Sequence, residues 1–167
     1  WSSDVCSSDL PQNELHLSEP DLPRWVASYV DDVTSINPAR TLTLTATSEV
    51  DYGALDMRLM ERVLDNLVNN ALRYSDSTVQ IALRHDGARA SLIVEDDGPG
   101  IEPEARERIF EPFVRLDPSR DRATGGCGLG LAIVRSIAQA MGGEVVCDAS
   151  ELGGARFTFS WPVCYSI

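Results

Sequence analysis

Two pairs of alternating segments, each preceded by an amphipathic helix, constrain the architecture of this 167-residue chain more than any other feature. Over 78–84, Val79, Ile81 and Leu83 fall on one side; Asp86-Gly87 then supplies a hairpin turn, and 90–95 returns as a more apolar strand. Residues 144–148 and 155–161 read as a second hairpin, with Phe157, Phe159 and Trp161 on one face. The spacing of Met57, Met60, Leu64, Leu67, Val68 and Ala71 predicts a helix over 57–74, with Asp56 as its N-cap. Leu131, Val134, Ile137, Ala138 and Met141 predict another over 129–141, ended by Gly142-Gly143. No strand–helix–strand series repeats. The pattern is that of an α/β two-layer sandwich with a mixed or mainly antiparallel sheet.

The remaining segments are shorter. Residues 22–33 predict a short amphipathic helix with Trp25, Val26, Tyr29 and Val33 on one side. Strands are expected over 40–47 and 51–55, and a short helix over 103–109 with Pro103 near its start. Residues 116–126 are rich in Pro, Ser, Arg, Asp and Gly and read as a mobile loop. Residues 11–23 are polar and proline-punctuated and read as a linker. The first ten residues, WSSDVCSSDL, back-translate to a string resembling a common sequencing-adapter oligonucleotide, and are expected to be a non-native tail.

Composition removes several functions. The net charge of -12 opposes a nucleic-acid surface, which needs a concentrated cationic field. Any polyanion must be held by local donors, arginines or a metal. All 14 cationic residues are arginine, so a Walker A loop, a protein-kinase strand lysine and a Schiff-base lysine are excluded. Cys6, Cys127, Cys147 and Cys164 form no CxxC pair, and reduced thiols are expected. No run approaches the roughly 20 apolar residues of a membrane span, and no signal peptide is visible.

Three segments carry chemistry. On the 57–74 helix, Asn66, Asn70 and Arg73 share one stripe. Asparagine weakens a helix interior, and amide oxygens suit a Mg²⁺ ion that bridges phosphates; a satisfied polar stripe at a domain contact is the equal alternative. Asp96-Asp97-Gly98-Pro99-Gly100 ends an apolar strand. An acidic group there can accept from the exocyclic amine of a base, while glycines admit a flat ring; a tight turn is the plainer reading. Gly125-Gly126-Cys127-Gly128-Leu129-Gly130 opens directly into a helix, where stacked N–H groups can hold phosphate; a flexible hinge is the alternative. Leu131 stands where GxGxxG would need glycine, so a dinucleotide fold is not indicated.

In this order and spacing the segments resemble the GHKL ATPase/kinase superfamily, and within it the histidine-kinase branch. LDNLVNNALRY from Leu64 resembles the N box, VEDDGPGI from Val94 the G1 box, and RIFEPFVR from Arg108 the F box. GGCGLGLAIV from Gly125 resembles the G2 box, and GGARFTF from Gly153 the last glycine box. The resemblance covers about residues 41–162. It implies a Bergerat-type sandwich whose sheet is covered on one face by about three helices. Residues 11–38 would be a linker and the end of a dimerisation region, 39–163 the catalytic domain, and 164–167 a tail.

The resemblance also implies ATP and Mg²⁺ as cofactors. Asn70 would coordinate the metal with Asn66 assisting, Arg73 would contact phosphate, and Tyr74 would pack on adenine. Asp96 would bind the adenine amine, in a pocket shaped by Gly98, Gly100 and Ile101. Phe110 and Phe113 would anchor a lid, with Arg115, Arg120 and Arg122 as its phosphate contacts. Gly126, Cys127, Gly128, Leu129, Gly130 and Leu131 would line the phosphates, although Cys127 stands where the family often has Ser or Thr. Related ATPases of the gyrase, MutL or Hsp90 kind place glutamate at the Asn66 position to activate water. An amide cannot take that proton, which favours phosphotransfer. Neither His16 nor His85 has the surroundings of the family's phosphoacceptor. The implied partners are the dimerisation domain of the parent kinase and, through it, an OmpR-like response regulator. The parent would be an inner-membrane homodimer, and this a cytoplasmic domain with no membrane contact. A gyrase-like ATPase, an anti-sigma-type serine kinase and a fragment that only binds nucleotide are the alternatives.

Overall fold

The alternation of the sequence is realised as one sheet with a single dry face. A computed structural model describes residues 14–47, 51–116 and 128–163. In chain order the elements are β1 (Leu17–Ser18), α1 (Leu22–Ile36), β2 (Thr41–Thr45), β3 (Leu55–Asp56) and α2 (Met57–Tyr74). They continue with β4 (Thr78–His85), β5 (Arg89–Asp96), two 3-10 turns (Pro103–Ala105 and Arg108–Phe110), α3 (Gly130–Ala140), β6 (Glu144–Ala149) and β7 (Ala155–Pro162). Five strands pair in the order β2-β4-β5-β7-β6, parallel between β2 and β4 and antiparallel elsewhere. The register aligns Ile81, Val94, Phe157 and Cys147 as one rung across four strands, and all four side chains are buried. A one-residue slip in any strand would turn its apolar set to solvent.

The three helices cover that face. Met60, Val63, Leu64, Leu67, Val68 and Ala71 of α2 join Val134, Ile137 and Ala138 of α3 in one core with the strands. The predicted α2 stripe is correct except at Met57, which is only partly buried, and at Val63, which belongs to it. Leu131 is also only partly buried. The helix α1 is longer than expected, and Leu22, Val26 and Val30 enter the same core. Asp56 caps α2 as expected, accepting from Arg58 N at 3.1 Å. It also accepts from His16 N at 3.0 Å, and β1 pairs with β3. The chain read as linker therefore includes a strand.

Two expected elements differ. The strand over 51–55 is reduced to Leu55–Asp56, because Asp51 Oδ1 accepts from Gly53 N and Gly53 takes a φ of 78°. That turn swings the Tyr52 ring into the core. The helix over 103–109 is two 3-10 turns. Only Ile109 and Phe110 bury there, too little to offset the cost of nucleating an α-helix. Apart from Leu116, the segment expected to be mobile lies outside the described residues, as do Cys6, Cys127 and Cys164. Burial pushes the Cys147 thiol up to about 12, as fits an inert core cysteine. Among the described residues no helix is long and apolar enough to cross a membrane.

Candidate functional site

The strand β5 alternates buried and half-buried residues to its end, and so delivers Asp96 to the buried side at the edge of the core. Asp96 is 2% exposed. Its Oδ1 accepts from Gly98 N at 2.9 Å and Ala155 N at 3.3 Å. Its Oδ2 takes no hydrogen bond from the described residues. Burial raises its pKa, opposed by the two backbone donors and assisted by the nearby Asp97 and Asp76. A buried carboxylate with one oxygen fixed and the other uncommitted is oriented to accept a hydrogen bond from outside the protein.

Glycines make this arrangement possible. A Cβ on Gly98 would overlap the carbonyl oxygen of Tyr74, and one on Gly154 would overlap Asp96 Oδ1. Gly154 N donates to the Asp96 carbonyl at 3.1 Å. Gly100 has a φ of 75°, and its Cβ position lies 3.3 Å from Gly154 O. Gly154 and Ala155 were not singled out as site residues. The GGARF motif held a signal, but only the β5–β7 pairing shows what it supports.

The adjacent Asp97 points elsewhere. Its carboxylate accepts from Asp76 N at 2.9 Å, Ser77 N at 3.0 Å and Ser77 Oγ at 2.7 Å, all in the turn that leaves α2. Burial pushes its pKa up, but the Ser77 hydroxyl and the backbone donors outweigh it and hold the carboxyl well below the usual range. The two neighbouring aspartates thus have separate partners and opposite shifts.

Helix α2 brings Asn66, Asn70, Arg73 and Tyr74 along the same side of the site. Asn66 Nδ2 donates to Arg62 O at 2.8 Å, which aims Oδ1 at the start of α3. A Cβ on Gly130 would lie 2.7 Å from that oxygen. Asn70 and Tyr74 are half-buried and Arg73 is exposed. The first turn of α3 has no side-chain cap at Leu129. Its opening N–H groups are therefore available to an anion.

The two phenylalanines of the F box do not act alike. Phe110 is buried edge-on against Phe157, their centroids 6.2 Å apart, beneath the Arg135 guanidinium at 5.1 Å. Arg135 is itself held by Glu107 at 2.7 Å. Phe113 is 73% exposed, so of the two rings only Phe110 is buried in the core. Phe113 is fixed through its backbone, with a φ of 65° and its N–H donating to Gly128 O at 3.0 Å. Arg115 is exposed beside it. Ile101 is partly buried against the core, and its carbonyl accepts from Arg106 Nε at 3.0 Å. Arg120, Arg122, Gly126 and Cys127 lie outside the described residues.

A mainly antiparallel sheet under three helices, with a buried aspartate at a strand end facing an asparagine-bearing helix, defines a GHKL-type sandwich. The family model for "Histidine kinase-, DNA gyrase B-, and HSP90-like ATPase" matches residues 55–164, and the chain belongs to that family. Within it, the chain is 68% identical to Sensor protein RstB of Escherichia coli (strain K12), over 95% of this chain and 37% of that protein. Among solved structures, full-length ShkA in complex with AMPPNP superposes with a TM-score of 0.76 at 30% identity, covering 92% of this chain and 33% of that one. The mycobacterial sensor histidine kinase MprB gives 0.72 at 27% identity, covering 87% and 97%. The chain thus spans little more than a third of the length of RstB.

Proposed function

We propose that this chain is the ATP-binding catalytic domain of a two-component sensor histidine kinase. It would bind Mg-ATP between α2, the end of β5 and the start of α3, and donate the γ-phosphate to a histidine on a dimerisation domain. The observation that carries the reading is the buried Asp96, with Oδ1 held by two backbone donors and Oδ2 left for a base amine. Tyr74 packs beside the base, and Gly98, Gly100 and Ile101 shape its pocket. The N-terminus of α3, with Gly128, Leu129, Gly130 and Leu131, holds the phosphates, assisted by Arg73 and Arg115. Arg120, Arg122, Gly126 and Cys127 are assigned to the same phosphates by sequence position.

Mg²⁺ fits this donor set when it arrives with the nucleotide. Among the described residues no cluster of His, Cys, Asp and Glu could hold an ion alone. The amide oxygens of Asn66 and Asn70 are hard neutral ligands that suit an ion still bound to phosphates. When bound, the ion supplies charge neutralisation at the transferred phosphoryl group. Asn66 accepts no proton at neutral pH, which favours transfer over hydrolysis. His85 Nδ1 accepts from Gly87 N at 3.2 Å in a hairpin turn, far in character from a phosphoacceptor. The acceptor is therefore supplied by another domain, in a homodimeric inner-membrane parent that relays phosphate to an OmpR-like response regulator.

Mixing the chain with a separately made dimerisation domain and γ-labelled ATP tests this. Label on the acceptor histidine is expected, with negligible hydrolysis by the chain alone. Confirmed ATP binding without transfer overturns the kinase reading, and rapid steady hydrolysis favours a gyrase-like ATPase.

A further inference from the structure

The second aspartate of the DDGPG motif has no part in the site described above, yet it is the more heavily bonded of the two. Four contacts reach its carboxylate from Asp76 and Ser77, across 20 or 21 residues of sequence. An ordinary tight turn satisfies its own backbone; this one is closed by a carboxylate from the neighbouring strand. The same turn is tied to the sheet twice more: Asp97 N donates to Thr78 O at 3.3 Å, and Thr41 N donates to Ser77 O at 2.8 Å. Immediately before the turn, the carbonyl of Tyr74 lies so close to Gly98 that no side chain fits between them. The distance from the last turn of α2 to the Asp96–Gly98 strand end is thus held by the Asp97 bonds and by the close approach of Tyr74 to Gly98.

We propose that Asp97 is a positioning residue for the base-binding end of the site, setting the separation between Tyr74 and Asp96 through the turn at Asp76 and Ser77. The inference rests on the nucleotide reading above. Asp97 touches no ligand itself, because Asp76 and Ser77 occupy its two oxygens. Removing it frees two backbone donors and lets the end of α2 move relative to β5. The base end is what suffers, so ATP and adenosine lose affinity together.

The test is calorimetric binding of ATP and of adenosine to the full chain, at a temperature where melting curves show each variant folded. Asp97→Ala is expected to weaken both ligands by about tenfold, a loss of the order of one charge-assisted hydrogen bond. Asp97→Asn keeps an acceptor for Ser77 N–H and is expected to restore most of this, to within about threefold of the parent. A purely structural role lowers the melting temperature and leaves both affinities of the folded protein unchanged. Parental affinity in folded Asp97→Ala, or a loss confined to ATP, overturns the proposal. Should Asp97→Ala not fold, Ser77→Ala removes the hydroxyl bond to Asp97 together with the 3.1 Å contact to Thr78 Oγ1 and keeps the backbone donors, and about threefold weaker binding is expected. Parental affinity in folded Ser77→Ala then overturns it. Parent protein that binds neither ligand overturns the nucleotide reading itself, which Asp96→Ala as a non-binding control keeps separate.

Discussion

The two ends of the candidate site are built in opposite ways. At the base end, Asp96 is buried between backbone segments of β5, β7 and α2, and Gly98 and Gly154 admit neighbours where no side chain fits. At the phosphate end, the described elements meet through one backbone bond, Phe113 N to Gly128 O, between two residues with positive φ. Phe113 there is largely exposed and Leu116 about half exposed. Backbone packing gives the base end one geometry. The phosphate end depends on exposed side chains, a capless helix start and whatever binds there. On the proposed function, base recognition would fall to the backbone-packed sheet end and phosphate contact to the segments flanking residues 117–127.

The strongest way to break this comparison is Gly154→Val. The added atoms would overlap the Asp96 carboxylate and backbone, and a loss of about 3 kcal/mol or more is expected, together with ATP binding. Thermal melts and calorimetry check it; a stable variant that binds ATP would show that the base end is not fixed by backbone packing. Phe110 and Phe113 test the F box across the same divide. Phe110→Ala is expected to cost about 3 kcal/mol by denaturant melting, and Phe113→Ala no more than about 0.5 kcal/mol.

Asp96→Asn separates recognition from stability. ATP affinity is expected to fall about 100-fold, as a charge-assisted bond is lost and the uncommitted oxygen can become an amide donor. Stability without nucleotide should move the other way. Burial raises the folded pKa of Asp96, so its contribution to stability is present below the unfolded value and diminishes as pH rises through the raised one. The variant should therefore melt about 3 °C higher at neutral pH, and the difference should vanish below the ordinary carboxylate range. A lower melting temperature at neutral pH would contradict the assigned sign. A smaller effect than at Gly154 is expected from Gly128→Ala, with its φ of 73° and a Cβ position 3.1 Å from Phe113 C. A loss of about 1 kcal/mol, read by chemical denaturation, would mark the tolerance of the phosphate end.

Much of the fold was legible because periodicity reports burial directly. The hairpins, α2 with its Asp56 cap and the ending of α3 followed from apolar spacing and turn residues. The elements that differed have weak local signals. β1 and β3 have two residues each and exist only because they pair with one another. The segment at 103–110 has a proline start and helical composition, but buries only Ile109 and Phe110. At the site, sequence spacing could place Asn66, Asn70 and Arg73 on one stripe. It could not show that Gly154 supports Asp96, since those residues meet only through the β5–β7 pairing.

The DDGPG motif shows where the two sources of information divide. Residue order alone determined that an acidic, glycine-rich turn ends an apolar strand; in the structure the alternation of that strand turns Asp96 inward. Asp97, one residue on, necessarily faces away from it. What each carboxylate does was decided only by the tertiary structure. Asp96 meets Ala155 across 59 residues, and Asp97 meets Ser77 across 20, because sheet order brings β7 and the end of α2 to the two sides of one strand end. Local pattern sets which way a side chain points; the partners waiting there depend on chain topology, which no window of sequence contains.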